Sequence, residues 1–239
     1  MSKKIDNPFR TLMFSKEFYE YYALEILKKY DYKRYEELAH IGGNEFPDLQ
    51  TQSLSIGVEV TCAFKEELLR LNFYCAEYLG APLQDIPTKV TKELLKGGRY
   101  FGKNNGRADI CYCLKDDEIT DEEQIQIGID AIRTKTLKLN TAHSFSPCLN
   151  YELFIFLHKY LARDAVEKIC TAIDSIYEDA QKQFSKVYIL SKNYLYVCEK
   201  HFFFPYDVGE FLHSCRSCAY IESGMEEKSR TLLKQQGHI

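Results

Sequence analysis

The sequence predicts a protein of the α/β class, a small mixed sheet flanked by helices with additional long helices, and three observations carry that expectation. Apolar residues recur at helical spacing over Ser15–His40. Short runs rich in β-branched and aromatic residues, Ser55–Cys62, KVYILS and YLYVCE, read as strands. Long helical patterns separate these runs without the regular strand-helix alternation of a doubly wound sheet.

Taken in order, the first helix places Phe18, Tyr19, Tyr22, Ala23, Ile26, Leu27 and Tyr30 on one side and Glu17, Glu25 and Lys28 away from it. GGNEFPD then breaks the pattern. Asp48–Gln50 and Ser55–Cys62 form two strands around a polar turn, and Phe64–Leu79 returns to helical spacing through Leu68, Leu69, Phe73 and Ala76. A basic, glycine-rich segment follows and ends in the strand-like ADICYCL. Glu118–Asn140 and Asn150–Phe184 read as long helices, and KVYILS and YLYVCE as a hairpin turning on Lys192-Asn193. FFFPYD reads as core and turn, and EEKSRTLLKQQGHI as a helix or frayed end. Neither a linker nor an internal repeat divides the chain, so one domain over 1–239 is expected, its core at about 15–115 and 185–200 and a helical insertion at about 118–184.

A hydrophobic content of 45% and an aromatic content of 14% suffice for a sizeable core. No apolar run is long enough to span a bilayer, and MSKKIDNPFR has no apolar stretch behind its charges, so a cytoplasmic chain with no membrane partner is expected. Nine scattered cysteines fit reduced thiols better than a disulfide framework. A net charge of −4 excludes a global electrostatic footprint for nucleic acid, so any such partner needs a local patch. Between Ile86 and Ile110, Lys89, Lys92, Lys96, Arg99, Lys103 and Arg107 face only Glu93 and Asp109. Such a run is either a solvated surface or a phosphate-contacting one.

The stretch FPDLQTQSLSIGVEVTCAF holds the chemistry. A hairpin turning on Ser53-Leu54 sets Asp48 directly opposite Glu59, and opposed side chains in such a pair lie on one face, roughly 4.5–5.5 Å apart at Cβ. Two carboxylates at that distance can grip one divalent cation. Without a cation they repel, and one carboxyl titrates high. An exposed Glu and Thr beside a Pro-Asp turn also occur in plain hairpins.

Pro47-Asp48, ten intervening residues and then Glu59-Val60-Thr61, behind a Glu-bearing helix, resemble the signature of the PD-(D/E)XK, or restriction-endonuclease-like, nuclease superfamily. The resemblance spans roughly the first eighty residues and extends to the Lys-bearing AIRTKTLKLN ahead of the KVYILS strand. It implies a restriction-endonuclease-like fold and hydrolysis of a nucleic-acid phosphodiester, DNA rather than RNA. It further implies Mg²⁺ or Mn²⁺ held by Asp48 and Glu59, with Glu20 completing or orienting the shell. Lys96, Arg99, Lys103 and Arg107 would then contact backbone phosphates. The departure is Thr61, where the family carries Lys; a hydroxyl orients water but supplies no positive charge. Either a Lys reaches in from elsewhere, with Lys65, Lys135 and Lys138 as candidates, or the scaffold is a catalytically inactive nucleic-acid-binding or assembly module.

Other motifs carry less. GGRYFGKN approaches a phosphate-binding loop but lacks the terminal hydroxyl and the strand-loop-helix context. Cys198-x2-His201 and Cys215-x2-Cys218 have a spacing that could build a structural Zn²⁺ site, making a zinc-stabilised interaction domain a third reading. His40, His143, His158 and His213 sit in no nucleophile motif.

Overall fold

A computed structural model describes residues 15–42, 47–78, 80–113, 119–142, 146–199 and 202–225. The chain divides into two units, one built from 16–64 and 119–223, the other around 65–118.

The larger unit is a seven-stranded mixed sheet covered by helices on both faces. In chain order its elements are α1 (Lys16–Tyr30), α2 (Tyr32–Tyr35), β1 (Leu38–His40), β2 (Leu49–Thr51) and β3 (Ile56–Ala63). In the smaller unit follow α3 (Glu66–Tyr78), α4 (Thr88–Lys96), β4 (Arg99–Asn104) and β5 (Arg107–Cys113). The larger unit resumes with α5 (Asp121–Thr141), β6 (Asn150–Leu157), α6 (Arg163–Tyr177), β7 (Lys186–Ser191), β8 (Tyr194–Glu199), β9 (Phe202–Asp207) and α7 (Gly209–Glu222). The sheet order is β1-β2-β3-β6-β7-β8-β9. β6 runs parallel to both β3 and β7, and the other pairs are antiparallel. The α/β class expected from the sequence is the one observed.

The two-residue strand period sorts the core. Ile56, Val58, Val60, Phe154, Phe156, Tyr188, Leu190, Leu195 and Val197 pack under α1 and α7, while Ala63, Leu153, Ile155, Val187, Ile189, Tyr196 and Cys198 pack under α5 and α6. Each fully buried side chain of this size contributes about 1.5–3 kcal/mol, so the sheet interior carries the stability. The four-residue α2 is too short to hold itself. Asp31 caps it, and Arg34 and Tyr35 bind the buried Glu152 carboxylate at 2.5 and 2.7 Å.

Several boundaries differ from expectation. The first helix ends at Tyr30, and Leu38–His40 is the edge strand β1. Asn150–Phe184 is not one helix: its first eight residues are β6, at the centre of the sheet. The segment read as an insertion therefore supplies core, and 65–118 forms the separate unit. FFFPYD is the edge strand β9, with Phe202, Phe204 and Tyr206 exposed and Pro205 where an edge tolerates a missing N–H. The terminal segment EEKSRTLLKQQGHI, 226–239, lies outside the described residues. Cys170 and Cys198 are joined as a disulfide between α6 and β8, against the expectation of thiols throughout; among the described residues Cys62, Cys148, Cys215 and Cys218 are free thiols. Among the described residues, no helix is long and apolar enough to cross a membrane.

In the smaller unit, GGRYFGKN is not a phosphate loop. Its last six residues are β4, paired with β5 through a tight turn at Asn105-Gly106, both with positive φ. Gly97 lets Leu71 pack closely there, since a Cβ would sit 2.3 Å from Leu71 Cδ1 and force that side chain to shift.

Candidate active site

The hairpin sets the geometry. β2 and β3 pair Leu49 with Val58 and Gln50 with Gly57, the register that carries Asp48 to the position facing Glu59. The connection is longer than the two-residue turn expected, Gln52–Ser55, yet centred at the same place. Leu54 takes a left-handed φ of 57°, and Thr51 Oγ1 accepts the Ile56 N–H at 3.0 Å, closing the loop without shifting the pairs. Asp48 is pinned to β3, because its Oδ2 accepts the Val60 N–H at 2.8 Å. It is therefore anchored one residue from Glu59.

Glu59 is 1% exposed. Its Oε1 accepts from Lys135 Nζ at 2.6 Å and from Lys138 Nζ at 3.2 Å. Both lysines lie on α5, three residues apart and hence on one helix face. α5 is aimed by its start. Thr120 and Glu123 form a reciprocal capping box, and the buried Gln124 donates to Ala63 O and accepts from Lys159 N, both at 2.9 Å, fastening the helix to the ends of β3 and β6. Eleven residues of helix from Gln124 to Lys135 span about 16 Å. Four residues of strand from Ala63 back to Glu59 span about 13 Å. A helix fixed at Ala63 and running back along β3 thus delivers Lys135 and Lys138 to Glu59. Burial lowers Lys138 below lysine's ordinary pKa against the pull of Glu59, and the neighbouring Lys135 charge adds to the lowering; Asp48 acts on Lys138 as well, so one ammonium lies in the field of both carboxylates.

α1 adds the third carboxylate. Lys16 Nζ lies 2.7 Å from Glu20 Oε1 and 2.9 Å from Asp48 Oδ1, bridging the two. Glu20 Oε2 lies 2.5 Å from His40 Nε2, at the end of β1, and the Tyr21 ring backs that imidazole with centroids 4.6 Å apart. Burial lifts the Glu20 carboxyl above its ordinary value despite the Lys16 hydrogen bond, and the Asp48 charge raises it further. Glu20, Asp48 and Glu59 are thus three buried carboxylates neutralised by Lys16, Lys135 and Lys138.

The expected site residues divide accordingly. Glu20, Asp48 and Glu59 share this cluster, and two of the three lysine candidates, Lys135 and Lys138, are bonded within it. Thr61 is half-buried on the Glu59 side of β3 by strand alternation and brings no charge. Lys65 belongs to the segment of the smaller unit. Lys96 and Lys103 are exposed, whereas Arg99 is 3% exposed and Arg107 donates to Gly80 O at 2.9 Å. Arg99 is thus buried, and the half-buried Arg107 spends one guanidinium N–H on the backbone. Sequence reasoning missed Lys16 and His40. The i,i+4 spacing of Lys16 and Glu20 was a signal, but the helical reading that ran to residue 40 hid the strand that presents His40.

The proposed zinc ligands do not converge. Cys198 is in the core under α6, while Cys215 is in the core under α1, on the other face of the sheet; His201 lies outside the described residues. Among the described residues, no three His, Cys, Asp or Glu groups already stand together as a metal-ion site. The carboxylates nevertheless suit a hard divalent cation in their chemistry, being all-oxygen donors. Glu59 Oε2 is buried without a hydrogen-bond partner among the described residues, a capacity that its two lysines leave unused. Comparison with known proteins finds no family model, curated protein or solved structure that matches this chain.

Proposed function

We propose that the protein is a divalent-metal-dependent nuclease of the restriction-endonuclease-like kind, hydrolysing phosphodiester bonds of DNA. The observation that carries this reading is the arrival of Lys135 and Lys138 at Glu59 from α5, which supplies on this face of β3 the cationic function that Thr61 lacks. Mg²⁺ or Mn²⁺, held by Asp48 and Glu59 with Glu20 beside them, would activate a water and screen the charge that develops on the phosphate. Lys135 and Lys138 would meet the non-bridging phosphate oxygens, where a fixed positive charge in a partly dry site stabilises the transition state more than it does in water. His40 would hold Glu20 in one orientation, and the Val60 N–H would hold Asp48. With little solvent around Glu59, none of these groups has to reorganise as charge develops.

The test is nicking of plasmid DNA with Mg²⁺ or Mn²⁺. Wild type is expected to cut, Asp48→Asn and Glu59→Gln to lose about 10²-fold or more, and Lys135→Ala to lose a comparable factor that Thr61→Lys partly restores. Salt-dependent retention of DNA by wild type with no cleavage under any metal would instead leave an inactive binding module.

A further inference from the structure

Three ammonium groups neutralise the three buried carboxylates, so an incoming dication has to displace one of them, and they are not equally placed. Lys135 and Lys138 side chains are 17% and 30% exposed and both bind Glu59. The Lys16 side chain is 54% exposed, and its Nζ bridges Glu20 and Asp48, whose side chains are 5% and 2% exposed. In every case the carboxylates left behind are buried, so the dication itself has to take over their pairing; what distinguishes Lys16 is that its ammonium, the most exposed of the three, has an open way back to water. Lys16 is also the first residue of α1, and its flexible stem reaches solvent without moving the helix.

Resting on the nuclease reading, we propose that Lys16 is a built-in stand-in for the metal. Its ammonium holds Glu20 and Asp48 together in the metal-free protein and swings out to solvent when Mg²⁺ or Mn²⁺ arrives. The exchange leaves Lys135 and Lys138 in place for the phosphate. It also explains how two carboxylates brought to a common point are kept from splaying apart before metal is bound. Glu59 Oε2, buried and without a hydrogen-bond partner among the described residues, is the second indication that the cluster is built to accept a further positive charge.

Two measurements on the full chain test this. In the first, free Mn²⁺ is followed by electron paramagnetic resonance in titrations of wild type, Lys16→Met and Asp48→Asn. Lys16→Met is expected to bind Mn²⁺ about tenfold more tightly than wild type, because no ammonium then competes for Glu20 and Asp48, and Asp48→Asn to bind more weakly. In the second, lysine acetylation of wild type is read by mass spectrometry with and without saturating Mg²⁺. Lys16 is expected to react severalfold faster with Mg²⁺ while Lys135 and Lys138 do not, a readout that survives if Lys16→Met fails to fold. Wild-type binding that depends on Asp48, with no tightening in Lys16→Met and no gain in Lys16 acetylation, overturns the stand-in alone. Absence of Mn²⁺ binding by wild type and Lys16→Met alike overturns the nuclease reading with it.

Discussion

At the scale of single residues, burial and pairing set what each ionisable group can do. A carboxylate as deeply buried as Glu59 costs several kcal/mol to desolvate unless it is paired, which is why two lysines converge on it. At Cys215 the Lys29 charge and the Ser214 hydrogen bond are too weak to offset burial. Burial pushes its thiol up to about 11. The unfolded chain therefore sheds this proton first, so the stability that the group contributes is complete below a thiol's ordinary value and is lost as pH rises through about 11. Urea denaturation across that window is expected to show wild type losing stability with pH more steeply than Cys215→Ala, and equal slopes would contradict the assignment. Cys215 was legible as chemistry, in a spacing fit for zinc, but the sequence does not say which face of the sheet a helix covers. Asp48 and Glu59 were legible for the opposite reason: a hairpin is local, and strand alternation plus the turn centre fixes which residues face each other.

At the scale of elements, α5 decides whether the site exists. Gln124 is the fastening: replacing it by Leu leaves Ala63 O and Lys159 N without their partner, each unsatisfied group costing about 1–3 kcal/mol, and frees the helix to slide along β3. Gln124→Leu is expected to lower the denaturant midpoint and, if the proposed nuclease reading holds, to reduce DNA cleavage in protein still folded by displacing Lys135. Unchanged stability would show that the capping box alone aims the helix. The periodicity of α5 was plain in the sequence, and so was its lysine content. β6 was not, because LFIFL is buried on both faces, and a continuous apolar run shows neither the strand period nor the helix period. The α-helical pattern of α6 behind it extended the helical reading backwards over the strand.

At the scale of the whole molecule, the net charge of −4 means that nucleic acid is repelled by the bulk of the surface. On the proposed nuclease reading, binding then runs through few phosphate contacts. Of the four basic residues singled out in the glycine-rich segment, Lys96 and Lys103 are exposed. Neutralising both, as Lys96→Gln and Lys103→Gln, is expected to flatten the dependence of log affinity on log salt by about one to two units, with Mn²⁺ binding unchanged. A slope identical to wild type would remove this segment from the interface. By itself the sequence determined the α/β class, the facing of Asp48 and Glu59 and the lysine-bearing helix, since each depends on period and turn chemistry within a few tens of residues. The tertiary structure alone decided that β6 is the central strand and that Cys198 and Cys215 lie on opposite faces. It alone brought Lys16 to Glu20 and Asp48, His40 to Glu20, and Lys135 and Lys138 to Glu59, because those contacts join residues up to 79 positions apart and depend on which sheet face each helix covers.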